Sequence, residues 1–117
     1  MIRTLLMIGL IGFLSLVFLH APVRAEGEFG GLALGNGQLI FEAQCVGCHV
    51  HGGNIIRRGK TLKLKALQRN HRDSVEAIAN LVRNGKMPMS AYKDSLTEQE
   101  ILDVSAYVLN QAQQGWN

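Results

Sequence analysis

From residue 34 onward, apolar side chains recur at helical spacing, and the stretches that carry them are separated by glycine-containing loops. From about Leu34, the positions Leu39, Ile40, Ala43 and Val46 form one stripe, with Phe41 on the adjoining one. That spacing predicts a first helix running into residue 45. His51-Gly52-Gly53-Asn54 reads as a turn cluster, and Thr61 to Gln68, with Leu62, Leu64 and Leu67, reads as a short helical piece. Asp73 followed by Glu76 has the spacing of an N-cap and its N3 partner. Val75, Ile78, Ala79, Leu81 and Val82 continue that stripe until Asn84-Gly85 stops it. Thr97-Glu98-Gln99-Glu100 is a capping box ahead of a longer last helix through Ile101, Leu102, Val104, Tyr107 and Val108 to about Gln113. The fold class that follows is all-α with about four helices. Internal repeats and low-complexity tracts are absent from the sequence.

The first 25 residues follow a different pattern. Arg3 precedes an apolar run from Leu5 to Leu19, and Val23-Arg24-Ala25 closes the segment with small residues. The run is at the upper end of a signal-peptide core and short of the ~20 residues of a membrane span. Residues 1–25 are therefore expected to be a signal peptide cleaved after Ala25, with export of residues 26–117 as one domain; a retained membrane anchor is the alternative. The remaining 92 residues allow one small core and no second one. A chain of that size is marginally stable by burial alone, so a large apolar cofactor would complete its centre.

Cleavage also changes the charge. The whole chain is +3, but Arg3 and Arg24 leave with the first segment, so the remainder is near +1. Arg57, Arg58, Lys60, Lys63, Lys65, Arg69 and Arg72 fall within sixteen residues that contain no acid. Such a run is either a solvated face or a docking patch for an acidic partner. No aromatic residue interleaves with it, so the stacking platform of a nucleic-acid binder is missing.

The chemistry lies in Cys45-Val46-Gly47-Cys48-His49. Two thiols in C-x-x-C-H reach the two vinyl groups of one haem, and the adjacent imidazole then serves the iron. These are the only cysteines, and His51 and His71 do not supply a second zinc-ligand pair. No strand-like alternation surrounds Cys45, as a thioredoxin-type dithiol would require. The expected cofactor is one covalently held haem c with its iron, bound through Cys45 and Cys48 and ligated on its proximal side by His49. Two propionates would then bring the net charge to about −1.

The sixth ligand decides between electron transfer and chemistry at an open iron. A thioether favours ferrous iron and raises the potential. Met87 and Met89, flanking Pro88, are the only methionines after the first segment. His71, in the basic loop, is a rival; His51 is too near the proximal side.

The sequence resembles the class I c-type cytochromes and, within them, the cytochrome c6 family. The resemblance runs through Leu34-Gly35, Phe41-Glu42-Ala43, the Cys45 to His49 motif, Gly52-Gly53-Asn54, Asn84-Gly85-Lys86, Ala91-Tyr92, Leu96, Ala106-Tyr107-Val108 and Trp116. It implies a small cytochrome c fold wrapped around one haem. Such proteins typically read Asn-Gly-Lys-Gly-Ala-Met-Pro-Ala-Phe where this chain reads Asn-Gly-Lys-Met-Pro-Met-Ser-Ala-Tyr from Asn84 to Tyr92. Matched without a gap, the distal ligand is Met89; keeping the Met-Pro pair intact gives Met87. Leu81 stands where high-potential members often have Gln, which predicts a lower potential. Ser95 replaces an Arg that often precedes the leucine at position 96, so the partner surface departs from the usual one. Both changes resemble the divergent, low-potential branches. Phe41 and Tyr107 are expected to fill the crossing of the first and last helices, with Gly35 allowing close approach.

The function implied is that of a soluble, monomeric electron carrier that transforms no substrate. By resemblance its donor is the cytochrome b6f complex and its acceptor photosystem I or a terminal oxidase, reached by transient docking in the thylakoid lumen or periplasm. A haem-based ligand sensor or peroxidase-like enzyme, and a haem-bearing subunit of a larger membrane complex, are the alternatives.

Overall fold

The computed structural model describes residues 29–117, so the expected signal peptide lies outside the described residues. Four helices follow in chain order: α1 (Leu34–Gln44), α2 (Leu64–Arg69), α3 (Val75–Asn84) and α4 (Glu98–Gln114). Single 3-10 turns at Val50–Gly52 and Arg58–Lys60 punctuate the stretch between α1 and α2. Among the described residues the only β-type pairing is an isolated antiparallel bridge between Lys86 and Met89.

The last helix begins as its sequence dictates. The Thr97 hydroxyl accepts from the Glu100 backbone N–H, and the Glu100 carboxylate accepts from the Thr97 N–H, completing the capping box. The helix ends at Gly115, whose φ of 81° is left-handed. For α3 the cap is Ser74 rather than Asp73: the Ser74 hydroxyl accepts from the Ala77 N–H at 3.1 Å. Ser74 has the extended backbone of a cap, which places Asp73 one residue outside the helix.

The core is built against α4, whose Ile101, Val104, Ala106, Val108, Leu109 and Ala112 are buried. Helices α1 and α3 pack along it. The buried face of α1 is Gly37, Ile40 and Phe41, whereas Leu39 is 66% exposed and Ala43 and Val46 also face solvent. The apolar pattern is therefore met at Ile40 and Phe41 and not at Leu39, Ala43 and Val46, because the contact needs a small residue rather than a continuous apolar row. A Cβ on Gly37 would sit 2.1 Å from the Asp103 carbonyl oxygen and 2.8 Å from the Tyr107 Cβ. Gly35, expected to permit the approach, has open space around it.

The crossing is reinforced by one buried carboxylate. Asp103, 2% exposed, accepts from the Ala33 N–H at 3.0 Å, the Asn36 amide at 2.9 Å and the Gln99 amide at 2.9 Å. Burial pushes its pKa up, but these three donors outweigh burial and hold it below the ordinary value. The expected aromatic packing is present: Phe41 lies 5.5 Å from Tyr107 between ring centroids and 5.2 Å from Trp116. The Trp116 indole N–H donates to the Leu62 carbonyl at 2.9 Å, and its ring lies where a Cβ on Gly52 would stand. Through Trp116, the C-terminus thus holds down the loops on either side of the Arg58–Lys60 turn.

Candidate haem site

The end of α1 delivers the cysteines. The N–H groups of Cys45 and Val46 both donate to the Phe41 carbonyl, and those of Cys48 and His49 both donate to the Cys45 carbonyl. The chain thus keeps a helical coil through the C-x-x-C-H segment, which brings Cys45, Cys48 and His49 onto one cavity of about 280 Å³. Both cysteines are free thiols, Cys45 half-buried and Cys48 exposed. Burial, assisted by the neighbouring Cys48, pushes the Cys45 thiol up to about 11, so it is uncharged at neutral pH.

His49 is oriented by its own loop. Its Nδ1 lies 2.8 Å from the Gly53 carbonyl oxygen. A carbonyl only accepts, so Nδ1 carries a proton, and in the neutral ring Nε2 is then the nitrogen with the lone pair. The turn that supplies Gly53 is fastened by Gly52 N–H to His49 O and Gly53 N–H to Val50 O. Asn54 completes it by accepting from the Ile56 and Arg57 N–H groups and donating to the Lys60 carbonyl.

A second stretch of chain lines the same cavity with Leu81, Met87, Pro88, Met89 and Tyr92. The two methionines differ sharply in setting. Met89 is half-buried and packs against the core, whereas Met87 is 85% exposed. His71 and His51 are both exposed and neither lines the cavity. The histidine rival for the distal position therefore finds no support in the geometry.

The residues present fit haem c. Two thiols, an imidazole whose Nδ1 is bonded to Gly53, and the thioethers of Met87 and Met89 share one cavity. Its buried walls, including Phe41, Leu67, Ile78, Val82, Val104 and Val108, are apolar and suit a porphyrin face. Its exposed lining carries Arg57, Lys60 and Lys86, which suit carboxylates.

Residues 33–108 match the family model described as cytochrome c oxidase, cbb3-type, subunit III. A "Cytochrome c6-like" protein of Nostoc sp. (strain PCC 7120 / SAG 25.82 / UTEX 2576) is 53% identical over 108 residues, which is 92% of each chain. The crystal structure of cytochrome c6C from Synechococcus sp. PCC 7002 is 59% identical, with a TM-score of 0.66 over 68% of this chain and 96% of that one. That of cytochrome c6B from Synechococcus sp. WH8102 is 51% identical, with a TM-score of 0.68 over 71% of this chain and 94% of that one. The chain belongs to the cytochrome c6 family of class I c-type cytochromes. It is accordingly a c-type cytochrome electron carrier, and its cofactor is covalently bound haem c with its iron.

For two members of this cytochrome's site, the motifs that contain them do not reveal the role. Gly53 matters through its backbone carbonyl, which any residue possesses. Tyr92 matters through a hydroxyl that reaches the Gln44 carbonyl at 3.1 Å, 48 positions away in sequence. The only available signal for Tyr92 is that it stands where the resembling sequences read Phe.

Proposed function

We propose that this chain is a soluble carrier of single electrons in which Cys45 and Cys48 form the haem thioethers, His49 is the proximal iron ligand and Met89 the distal one. The observation that carries this reading is the contrast between the methionines: Met89 packs against the core in the cavity that His49 lines, while Met87 is 85% exposed. Bound haem c supplies reversible one-electron exchange between ferric and ferrous iron.

The protein's own contribution is to hold that group still and dry. Gly53 fixes the His49 ring and its tautomer, so Nε2 is presented without reorganisation. Phe41, Leu67 and Val104 exclude water from the buried walls, and Leu81 offers no amide to the cavity. A filled distal position leaves no place for a substrate, which separates a carrier from a sensor or peroxidase-like enzyme.

The donor and acceptor in this reading are the cytochrome b6f complex and photosystem I or a terminal oxidase, met transiently by a monomer in the thylakoid lumen or periplasm after removal of residues 1–25. The support is the family and the acid-free run from Arg57 to Arg72, of which Arg57, Arg58, Lys60, Lys63, Lys65 and Arg69 are exposed. Such a face steers weak, fast encounters with acidic partners. No helix among the described residues is long and apolar enough to cross a membrane.

A second reading, a haem-bearing subunit of a larger membrane complex, draws on the description of the matched family model. It predicts stable co-purification with membranes after signal cleavage; the carrier reading predicts recovery in the soluble fraction.

The deciding experiment is optical. The oxidised protein is expected to show the weak red-edge sulfur-to-iron band, which Met89→Ala abolishes and Met87→Ala retains. Loss of the band in Met87→Ala alone overturns the ligand assignment. Absence of the band from the native protein, together with rapid carbon monoxide binding by its reduced form, overturns the carrier.

A further inference from the structure

The loop from Gly85 to Tyr92 carries the proposed distal ligand, and its backbone ties lead mostly to α3. The Gly85 N–H donates to Leu81 O, Tyr92 N–H to Val82 O at 2.9 Å and Lys93 N–H to Arg83 O at 3.2 Å. Within the loop, Lys86 and Met89 exchange two backbone hydrogen bonds of 3.1 and 2.8 Å. Met87, Pro88, Ser90 and Ala91 are exposed. Helix α1, which delivers the cysteines, has one described hydrogen bond to this loop: the Tyr92 hydroxyl donates to the Gln44 carbonyl at 3.1 Å.

Gln44 is the last residue of α1 and precedes Cys45. Carbonyls at a helix C-terminus lack partners within their own helix. Here the N–H groups of Cys45, Val46, Cys48 and His49 go to the Phe41 and Cys45 carbonyls. The Gln44 oxygen is thus left for a partner from elsewhere in the fold, and the phenol supplies it. The backbone of Tyr92 is meanwhile fixed on both sides, by its N–H to Val82 and by its carbonyl, which accepts from the Ser95 and Leu96 N–H groups. A group held at its base and bonded at its tip transmits position between the two.

We propose that Tyr92 is a positioning residue, whose phenol clasps the Met89 loop to the cysteine-bearing end of α1 and so sets how firmly Met89 is held over the cavity. The proposal rests on the assignment of Met89 given above. It concerns the hydroxyl alone, because the ring also packs against the core and Phe would retain that packing.

The test is Tyr92→Phe in the haem-loaded protein. Carbon monoxide binds reduced iron only after the distal ligand leaves, so its association rate is expected to rise on the order of fivefold, the equivalent of one ordinary hydrogen bond. The pH at which the sulfur-to-iron band disappears is expected to fall, and amide exchange at Lys86 and Met89 to accelerate relative to α4. An unchanged carbon monoxide rate with unchanged exchange at Lys86 and Met89 overturns the clasp. Uniformly faster exchange in the loop and in α4 alike also overturns it, since that marks a general loss of stability. If the native protein lacks the band, the ligand assignment fails instead, and selective exchange at Lys86 and Met89 decides the clasp by itself.

Discussion

The crossing of α1 and α4 and the loop from Gly85 to Tyr92 both bound the same cavity, yet they are held by different means. At the crossing, backbones approach over Gly37, three donors converge on buried Asp103, and Phe41 wedges between Tyr107 and Trp116. In the loop, an isolated Lys86–Met89 pairing, a few backbone bonds to α3 and one phenol hold a mostly exposed segment. Dense packing makes the first region intolerant of volume change; sparse contacts leave the second able to open locally. The difference separates the frame that determines whether the protein folds from the segment that carries the proposed distal ligand.

That contrast is open to direct attack, most forcefully at Gly37. Ala is the better helix former by about 1 kcal/mol, which argues for a gain. Its Cβ would stand 2.1 Å from a backbone oxygen of Asp103, which cannot swing aside. The clash wins, and Gly37→Ala is expected to lower unfolding stability by about 3 kcal/mol in a denaturant titration. An unchanged or increased midpoint would mean that the crossing is loose enough to admit the methyl group.

Next in size is Asp103. Because its folded pKa is depressed, its ionised form contributes stability that is fully present above the unfolded value of about 3.9 and is lost as pH falls through the lower folded value. Asp103→Asn is expected to cost about 2 kcal/mol at pH 7. The native protein's advantage over this variant should shrink below about pH 4. Denaturant midpoints measured at both pH values check this, and an advantage constant across them would remove the carboxylate from the account.

The smallest effect is expected where the frame meets the chemistry. Leu81 is half-buried in α3 and lines the cavity. Leu81→Gln should raise the reduction potential with little change in unfolding midpoint, because it adds a polar contact at the cavity without altering the α1–α4 crossing. Direct electrochemistry decides it: a potential that stays put or falls refutes the tuning role.

Much of the frame was legible from local pattern. The capping box at Thr97 and Glu100, the stop at Asn84-Gly85 and the first helix running into Cys45 are local signals, and all three appear. Local rules fail where they meet a tertiary contact. The apolar stripe through Leu39, Ala43 and Val46 turned outward because α1 must present Gly37 to the Asp103 backbone. Gly35 and Gly37 are both helical glycines, and nothing local tells which one meets another helix. Ser74 displaced Asp73 as a cap by one residue, within the range where two adjacent cap-forming side chains compete.

The sequence by itself pointed to the cofactor and to half of the proposed site. C-x-x-C-H is a local constraint, since two thiols and an imidazole within five residues must act together whatever the rest of the chain does. It also narrowed the proposed distal ligand to two methionines flanking one proline, with the gap-free match favouring Met89. The tertiary structure adds a difference in burial, with Met89 packed against the core and Met87 85% exposed. It alone paired His49 with the Gly53 carbonyl and Tyr92 with the Gln44 carbonyl. Backbone carbonyls carry no side-chain signature, and a contact spanning 48 residues leaves no period in the sequence. Which oxygen a donor meets is therefore decided by the fold.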